Sequence, residues 1–270
     1  MKLVLCVKRD LHGCIFLNHL LPALRGHELR ILLADKTRPA EQTIPALQEL
    51  AYLERGLPCD RLFPLLDHRS EQGEWATFAG LAMRHRVELE IAQDINAPSL
   101  VNSLTAYAPD LIVSARFSHI FRPPALATAR HGVINVHPGE LPAHAGLFAP
   151  MRTVAEGEKC LACSIHAMDA GIDSGPIIAI EHLPYRPDEG LLGQIAELYL
   201  LSIPVILDVL AQLEREGRID SRPQEASRRR YRSMPDANEV AAFLAAGHRF
   251  WTPETYDALL ARFIPTAASG

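Results

Sequence analysis

An α/β fold on a mostly parallel, Rossmann-like sheet, followed by a helical C-terminal extension, is what this sequence predicts. Short apolar runs at Leu3–Val7, Leu29–Ala34 and Asp110–Ala115 alternate with stretches of helical spacing. Such alternation is the mark of βαβ units, whose strands pair in parallel. The runs are apolar throughout rather than at every second residue, as in strands buried on both faces. After Glu181 the strand pattern gives way to long helical periodicity, so residues 1–187 read as one domain and 188–270 as the extension.

Taken in order, Leu3–Val7 reads as the first strand and Ile15–Leu24 as a helix that Pro22 kinks or ends. Leu29–Ala34 is the second strand, and residues 39–54 read as a helix. Residues 57–69 hold two prolines and read as irregular. Helices are expected over 73–85 and 99–107, then a strong strand over Asp110–Ala115. Beyond it, residues 189–214 form an apolar-periodic stretch interrupted by Pro204. A polar segment over 215–232, short helices over 237–246 and 253–263, and a frayed tail from 265 complete the chain.

Composition excludes several classes. The chain has 270 residues, 48% hydrophobic and 22% charged, which suits a globular protein. Its formal net charge of −5 argues against nucleic acid as a partner, because phosphate binding needs basic surface. No apolar stretch reads as long enough to span a bilayer, and charges at Lys8, Arg9 and Asp10 break the only leader-like run. The expectation is a cytoplasmic protein. Its five cysteines, scattered and odd in number, do not form a disulfide framework. Cys160 and Cys163 have C-x-x-C spacing, but they fall in one strand and have no second pair, so a metal or redox role is not expected. The chain also lacks a Gly-x-Gly-x-x-Gly turn, a Walker loop, a Gly-x-Ser-x-Gly elbow and a His-Glu-x-x-His pair.

The chemistry concentrates in Ile134-Asn-Val-His-Pro-Gly-Glu-Leu-Pro142 and Asp173-Ser-Gly-Pro-Ile-Ile178. In a strand, residues two apart share a face. Asn135 and His137 therefore point one way, Ile134 and Val136 the other. Pro138 cannot extend the ladder, which puts both polar side chains at the strand's carboxyl end. Open α/β sheets place ligands there. A satisfied core pair is the plainer reading; Asp173 waiting in a glycine-flanked turn favours a site.

From Asp110 to Ile178 the chain resembles the folate-dependent formyltransferases, which include the glycinamide ribonucleotide, methionyl-tRNA and amino-sugar enzymes. The resemblance rests on the Asn-x-His-Pro-x-x-x-Pro segment and the later Asp-x-Gly turn. It implies a formyltransferase fold and a catalytic Asn135, His137 and Asp173. It also implies 10-formyltetrahydrofolate as formyl donor, without a metal. The donor's pteridine ring would lie between Phe117, His119, Ile120 and Phe121 on one side and the loop Asp169, Ala170, Gly171, Ile172 on the other. His166, at a place where the family has a histidine, would support the site from behind or be a hydrogen-bonded core residue.

The chain also departs from the family. Gly139 and Glu140 replace a common Ser-Leu, and Ala145 precedes Gly146 where many tRNA-acting members carry arginine. Residues 7–13 lack the phosphate turn of the glycinamide ribonucleotide enzymes. The acceptors implied are then small amines or hydroxylamines, such as amino sugar nucleotides or hydroxyornithine-like compounds, with a homodimer left open. Arg228–Arg232 is a solvated basic run or a contact for an anionic acceptor. Hydrolysis of the donor and a folate-binding protein without turnover are the rival readings.

Overall fold

The computed structural model describes residues 1–36, 38–69 and 73–265. Its strands are β1 (Lys2–Lys8), β2 (Glu28–Ala34), β3 (Leu89–Ala92), β4 (Leu111–Ala115), β5 (Val133–His137), β6 (Ala145–Gly146), β7 (Cys160–Ala167), β8 (Ile177–Pro184) and β9 (Tyr231–Arg232). The α-helices are α1 (Leu11–Leu20), α2 (Ala40–Thr43), α3 (Pro45–Ala51), α4 (Phe63–His68), α5 (Phe78–His85), α6 (Pro98–Tyr107), α7 (Pro123–Leu126), α8 (Ala149–Ala155), α9 (Leu191–Glu216), α10 (Ala237–Ala245) and α11 (Pro253–Ala261). A seven-stranded sheet runs β3-β2-β1-β4-β5-β7-β8, and β6 pairs with β9 beside it. Pairing is parallel from β3 to β5 and antiparallel for β5–β7 and β7–β8.

The apolar runs are strands because both faces are covered. Leu3, Leu5 and Val7 of β1 enter one core, which α1, α5 and α9 help to build; Val4 and Cys6 enter a second core shared with α6. The winding changes direction between β1 and β4, which opens a crevice at the carboxyl ends of these strands.

Four expectations need correction. Residues 57–69 are helical, not irregular: π-type turns over Tyr52–Gly56 and Pro58–Leu62 lead into α4. Pro58 cannot donate to the carbonyl five residues back, and that carbonyl, of Leu53, accepts the Tyr256 hydroxyl at 2.8 Å instead. The helix expected from residue 73 begins at Phe78, because the backbone N–H groups of Gly73 and Trp75 donate to Phe263 and Arg262. The helix expected over 39–54 is split into α2, α3 and the first π-type turns. Lastly, α9 has 26 residues and is long and apolar enough, by length and composition, to cross a membrane, contrary to the reading from sequence. Pro204 does not interrupt it. The proline lies exposed, where water can reach the carbonyl it leaves unbonded, and Ser202 Oγ bonds to Tyr199 O at 2.6 Å. Here α9 packs on α1, β7 and β8 through Leu198, Ile206, Val209 and Leu210.

The second half joins the first through one core, in which Leu210, Phe243 and Phe263 belong with Leu3 and Phe63. The frayed tail expected from 265 lies, from residue 266 on, outside the described residues.

Candidate active site

β5 delivers the motif as its alternation requires. Ile134 and Val136 point into the first core, and β5 ends at His137, ahead of Pro138. On the opposite strand, His166 of β7 is the register partner of Asn135. The Asn135 amide donates from Nδ2 to His166 Nε2 at 3.2 Å, and His166 Nδ1 donates to the Ala167 carbonyl at 2.9 Å. The second Asn135 N–H and its carbonyl oxygen remain for the cleft.

His137 is 5% exposed and held from behind. Its Nε2 donates to the His144 carbonyl at 2.7 Å, which turns Nδ1 toward Asp173 Oδ2 at 3.6 Å. Neutral His137 thus keeps its proton on Nε2, and a proton taken up on Nδ1 meets a carboxylate. The loop making this bond leaves no room for a larger residue at 139. A Cβ on Gly139 would sit 2.6 Å from Ala149 Cβ and 2.8 Å from both His137 Nε2 and the His144 carbonyl. Ser164 Oγ fixes the same loop, donating to Gly139 O at 2.7 Å and accepting from Leu141 N–H at 3.0 Å.

Asp173 enters from the turn between β7 and β8 at φ 51°, a left-handed conformation that Asp tolerates. A Cβ at Gly175 would meet the Ala167 carbonyl at 1.9 Å, so this turn demands glycine there. Asp173 Oδ2 accepts Gly146 N–H at 2.9 Å, and Oδ1 lies 3.7 Å from His166 Nε2. Burial would push this carboxyl up. The charge of His137, the neighbouring His166 ring and the hydrogen bond from the Gly146 N–H outweigh burial and hold it well below the usual carboxylate range.

Asn135, His137 and Asp173 all line one cleft of about 300 Å³. Phe117, His119 and Ile120 line it too, with Gly171 and Ile172 opposite. Three of the expected ring-binding residues are not brought there. Phe121 is 1% exposed and packs in the second core. Asp169 and Ala170 form the outer, exposed part of the turn. Asp169 Oδ1 accepts Gly171 N–H at 2.9 Å and Ser174 Oγ at 2.7 Å, so its carboxylate is engaged in shaping the loop.

Sequence reasoning missed the far wall. At the switch point, buried Asp10 caps α1 by accepting Gly13 N–H at 2.9 Å and pairs with Arg116 Nε at 2.6 Å. The other arm of Arg116 bonds to Glu54. His12 Nε2 donates to the Leu192 carbonyl at 2.8 Å, while its Nδ1, 3.6 Å from Glu54, has no hydrogen-bond partner among the described residues. Burial, then the Arg116 charge, pulls the pKa of His12 down, which keeps it neutral. Asp10, His12 and Glu54 have donor atoms within 4.8 Å of one another, a spacing that a cation could use; here Arg116 supplies the positive charge. Glu54, Arg116 and Tyr199 of α9 line the cleft. The signal available was a charged residue within three positions of each apolar run's end: Asp10 after Val7 and Arg116 after Ala115.

Residues 84–193 match the family described as Formyl transferase. A methionyl-tRNA formyltransferase of Chloroflexus aurantiacus is 30% identical over 148 residues, 54% of this chain and 47% of that protein. The chain thus spans about half the length of that relative. Among solved structures, glycinamide ribonucleotide transformylase 1 from Symbiobacterium toebii aligns with TM-score 0.54 and 20% identity, over 83% of this chain and 93% of that one. The sugar 3N-formyl transferase WlaRD, solved with dTDP and 5-N-formyl-THF, aligns with TM-score 0.56 and 13% identity, over 90% and 79%. The two structures share the fold, and the sequence matches make residues 84–193 similar to formyl transferases.

Proposed function

We propose that this chain is a folate-dependent formyltransferase, moving a formyl group from 10-formyltetrahydrofolate to an amine or hydroxylamine nitrogen of a small metabolite. The observation that carries the reading is the convergence of Asn135, His137 and Asp173 on one cleft. Its volume of about 300 Å³ lies at the lower end of the range for small-molecule sites.

The acceptor nitrogen attacks the formyl carbon, and the carbonyl oxygen gains negative charge. The Asn135 N–H that His166 leaves free is a donor for that oxygen, and protonated His137 adds a positive charge beside it. As the new C–N bond forms and the old one breaks, the acceptor gives up a proton and the folate nitrogen takes one. His137 gives its Nδ1 proton to the folate nitrogen, and Asp173, held ionised by its partners, accepts the acceptor's proton directly or through water and returns it to His137. His166 keeps the Asn135 amide oriented. Phe117, His119 and Ile120, facing Gly171 and Ile172, form the slot for the pteridine ring. Residues 1–187 are the catalytic unit, and the extension from 188 completes the wall with Tyr199, Tyr231, Met234 and Phe250.

An amino sugar nucleotide or a hydroxyornithine-like amine fits the cleft chemistry. The N-terminal turn of α1, where a phosphate would otherwise dock, already holds the Asp10 carboxylate. Incubation with folate donor and a panel of amines, followed by mass spectrometry, tests the reading. A formylated amine supports it; formate alone would mean hydrolysis, and no product would mean a binding protein.

A further inference from the structure

Residues 222–232 form a strap beside the cleft, which Tyr231 lines. Arg222 exchanges two backbone hydrogen bonds of 2.8 Å with Ile177. Gln224 Nε2 donates to the carbonyls of Asp173 at 3.1 Å and Gly175 at 2.7 Å. β9 then pairs with β6, whose Gly146 N–H holds Asp173. The strap is thereby stitched to the loop carrying the carboxylate.

Its arginines are not equivalent. Arg228 pairs with Glu225 at 4.0 Å, and Arg230 and Arg232 pair with Glu156 at 3.3 and 3.9 Å. Arg229 has no carboxylate partner among the described residues. Its Nη2 donates to the Ile172 carbonyl at 2.6 Å, and its guanidinium lies 5.7 Å from the Tyr231 ring centroid. Its Nε is buried, with no hydrogen-bond partner among the described residues. In extended chain, residues two apart share a side, so Arg229 lies on the side of Tyr231, which lines the cleft, away from the Glu156 pairs. A guanidinium that cannot lose its charge, with a buried N–H left over, is a strong oxyanion seat.

We propose that Arg229 binds a carboxylate of the formyl donor, the glutamate that every folate carries beyond its pteridine and benzoyl rings. The assignment rests on the folate reading above and on the bond from Arg229 to Ile172, a residue of the donor slot. A ligand with its ring against Gly171 and Ile172 would leave the cleft past Tyr231, toward this guanidinium. Arg229 thus selects donors by their tail and takes no part in the transfer step.

Equilibrium binding of 5-formyltetrahydrofolate and of 5-formyltetrahydropteroate, which lacks the glutamate, tests this without an acceptor. The natural chain should bind the first about 10- to 100-fold more tightly. Arg229→Ala should bring the first down to the level of the second and leave the second unchanged, and Arg229→Lys should restore part of the difference. Equal weakening of both ligands would reveal a purely structural tie to Ile172 and overturn the proposal. So would no change for either, or an effect confined to an anionic acceptor. If the natural chain binds neither compound, the folate reading itself fails, a result distinct from a failure of Arg229 alone.

Discussion

The two walls of the cleft use charge in opposite ways. At the end of β5, polar groups are held from behind and left open in front: Asn135 by His166, His137 by the His144 carbonyl. At the switch point, Asp10, Glu54 and Arg116 bond mainly to one another. The first arrangement keeps valence for a substrate, and the second fixes shape and field. Mutations should therefore separate them: activity without stability on one wall, stability together with activity on the other.

The largest effect is expected at the switch point. Arg116→Leu strands two carboxylates, one of them wholly buried, and should lower folding stability by about 3–5 kcal/mol. A thermal melt would register this as a fall of at least several degrees; an unchanged midpoint would mean that the two walls do not differ. Asn135→Ala should do the reverse. The turnover rate should fall about 10²- to 10³-fold, as when an oxyanion donor is lost, while the melting midpoint stays near that of the natural chain. Gly139→Ala lies between the two cases, because it packs in the loop behind His137 and its Cβ intrudes on His137 and His144. It should destabilise by about 1–3 kcal/mol and also slow turnover, because it displaces the imidazole.

The smallest effect is in acid. The pKa of Asp173 is depressed on folding, so its ionised form stabilises the fold above the unfolded value of about 4. That contribution is lost as pH falls through the lower folded value. The difference in urea midpoint between the natural chain and Asp173→Asn should hold steady from pH 7 to about 5 and narrow below about 4. A difference that widened in acid would reverse the sign of the argument.

Legibility in the sequence follows the same division. β1 and β4 could be read because strands buried on both faces are largely apolar, and β5 with Asn135 and His137 because a two-residue period puts those two side chains together. Asp173 was visible from its glycine-flanked turn. β3 was not, being four residues at the sheet edge. The π-type turns were hidden because a hydroxyl some 200 residues away, that of Tyr256, satisfies the carbonyl that Pro58 leaves free. The Asp10–Glu54–Arg116 group was invisible because its members lie on three separate segments that only the sheet order brings together. Phe121 was misplaced into the cleft because the family resemblance locates the ring-binding segment, not which of its side chains turn into the core.

The most direct measurement follows the formyl carbon. With donor labelled by carbon-13 at the formyl group, the natural chain should place the label in a new amide on the acceptor amine. Asn135→Ala and Asp173→Asn, still folded by circular dichroism, should leave it on the donor. Label released only as formate, or undiminished transfer by both variants, would contradict the account.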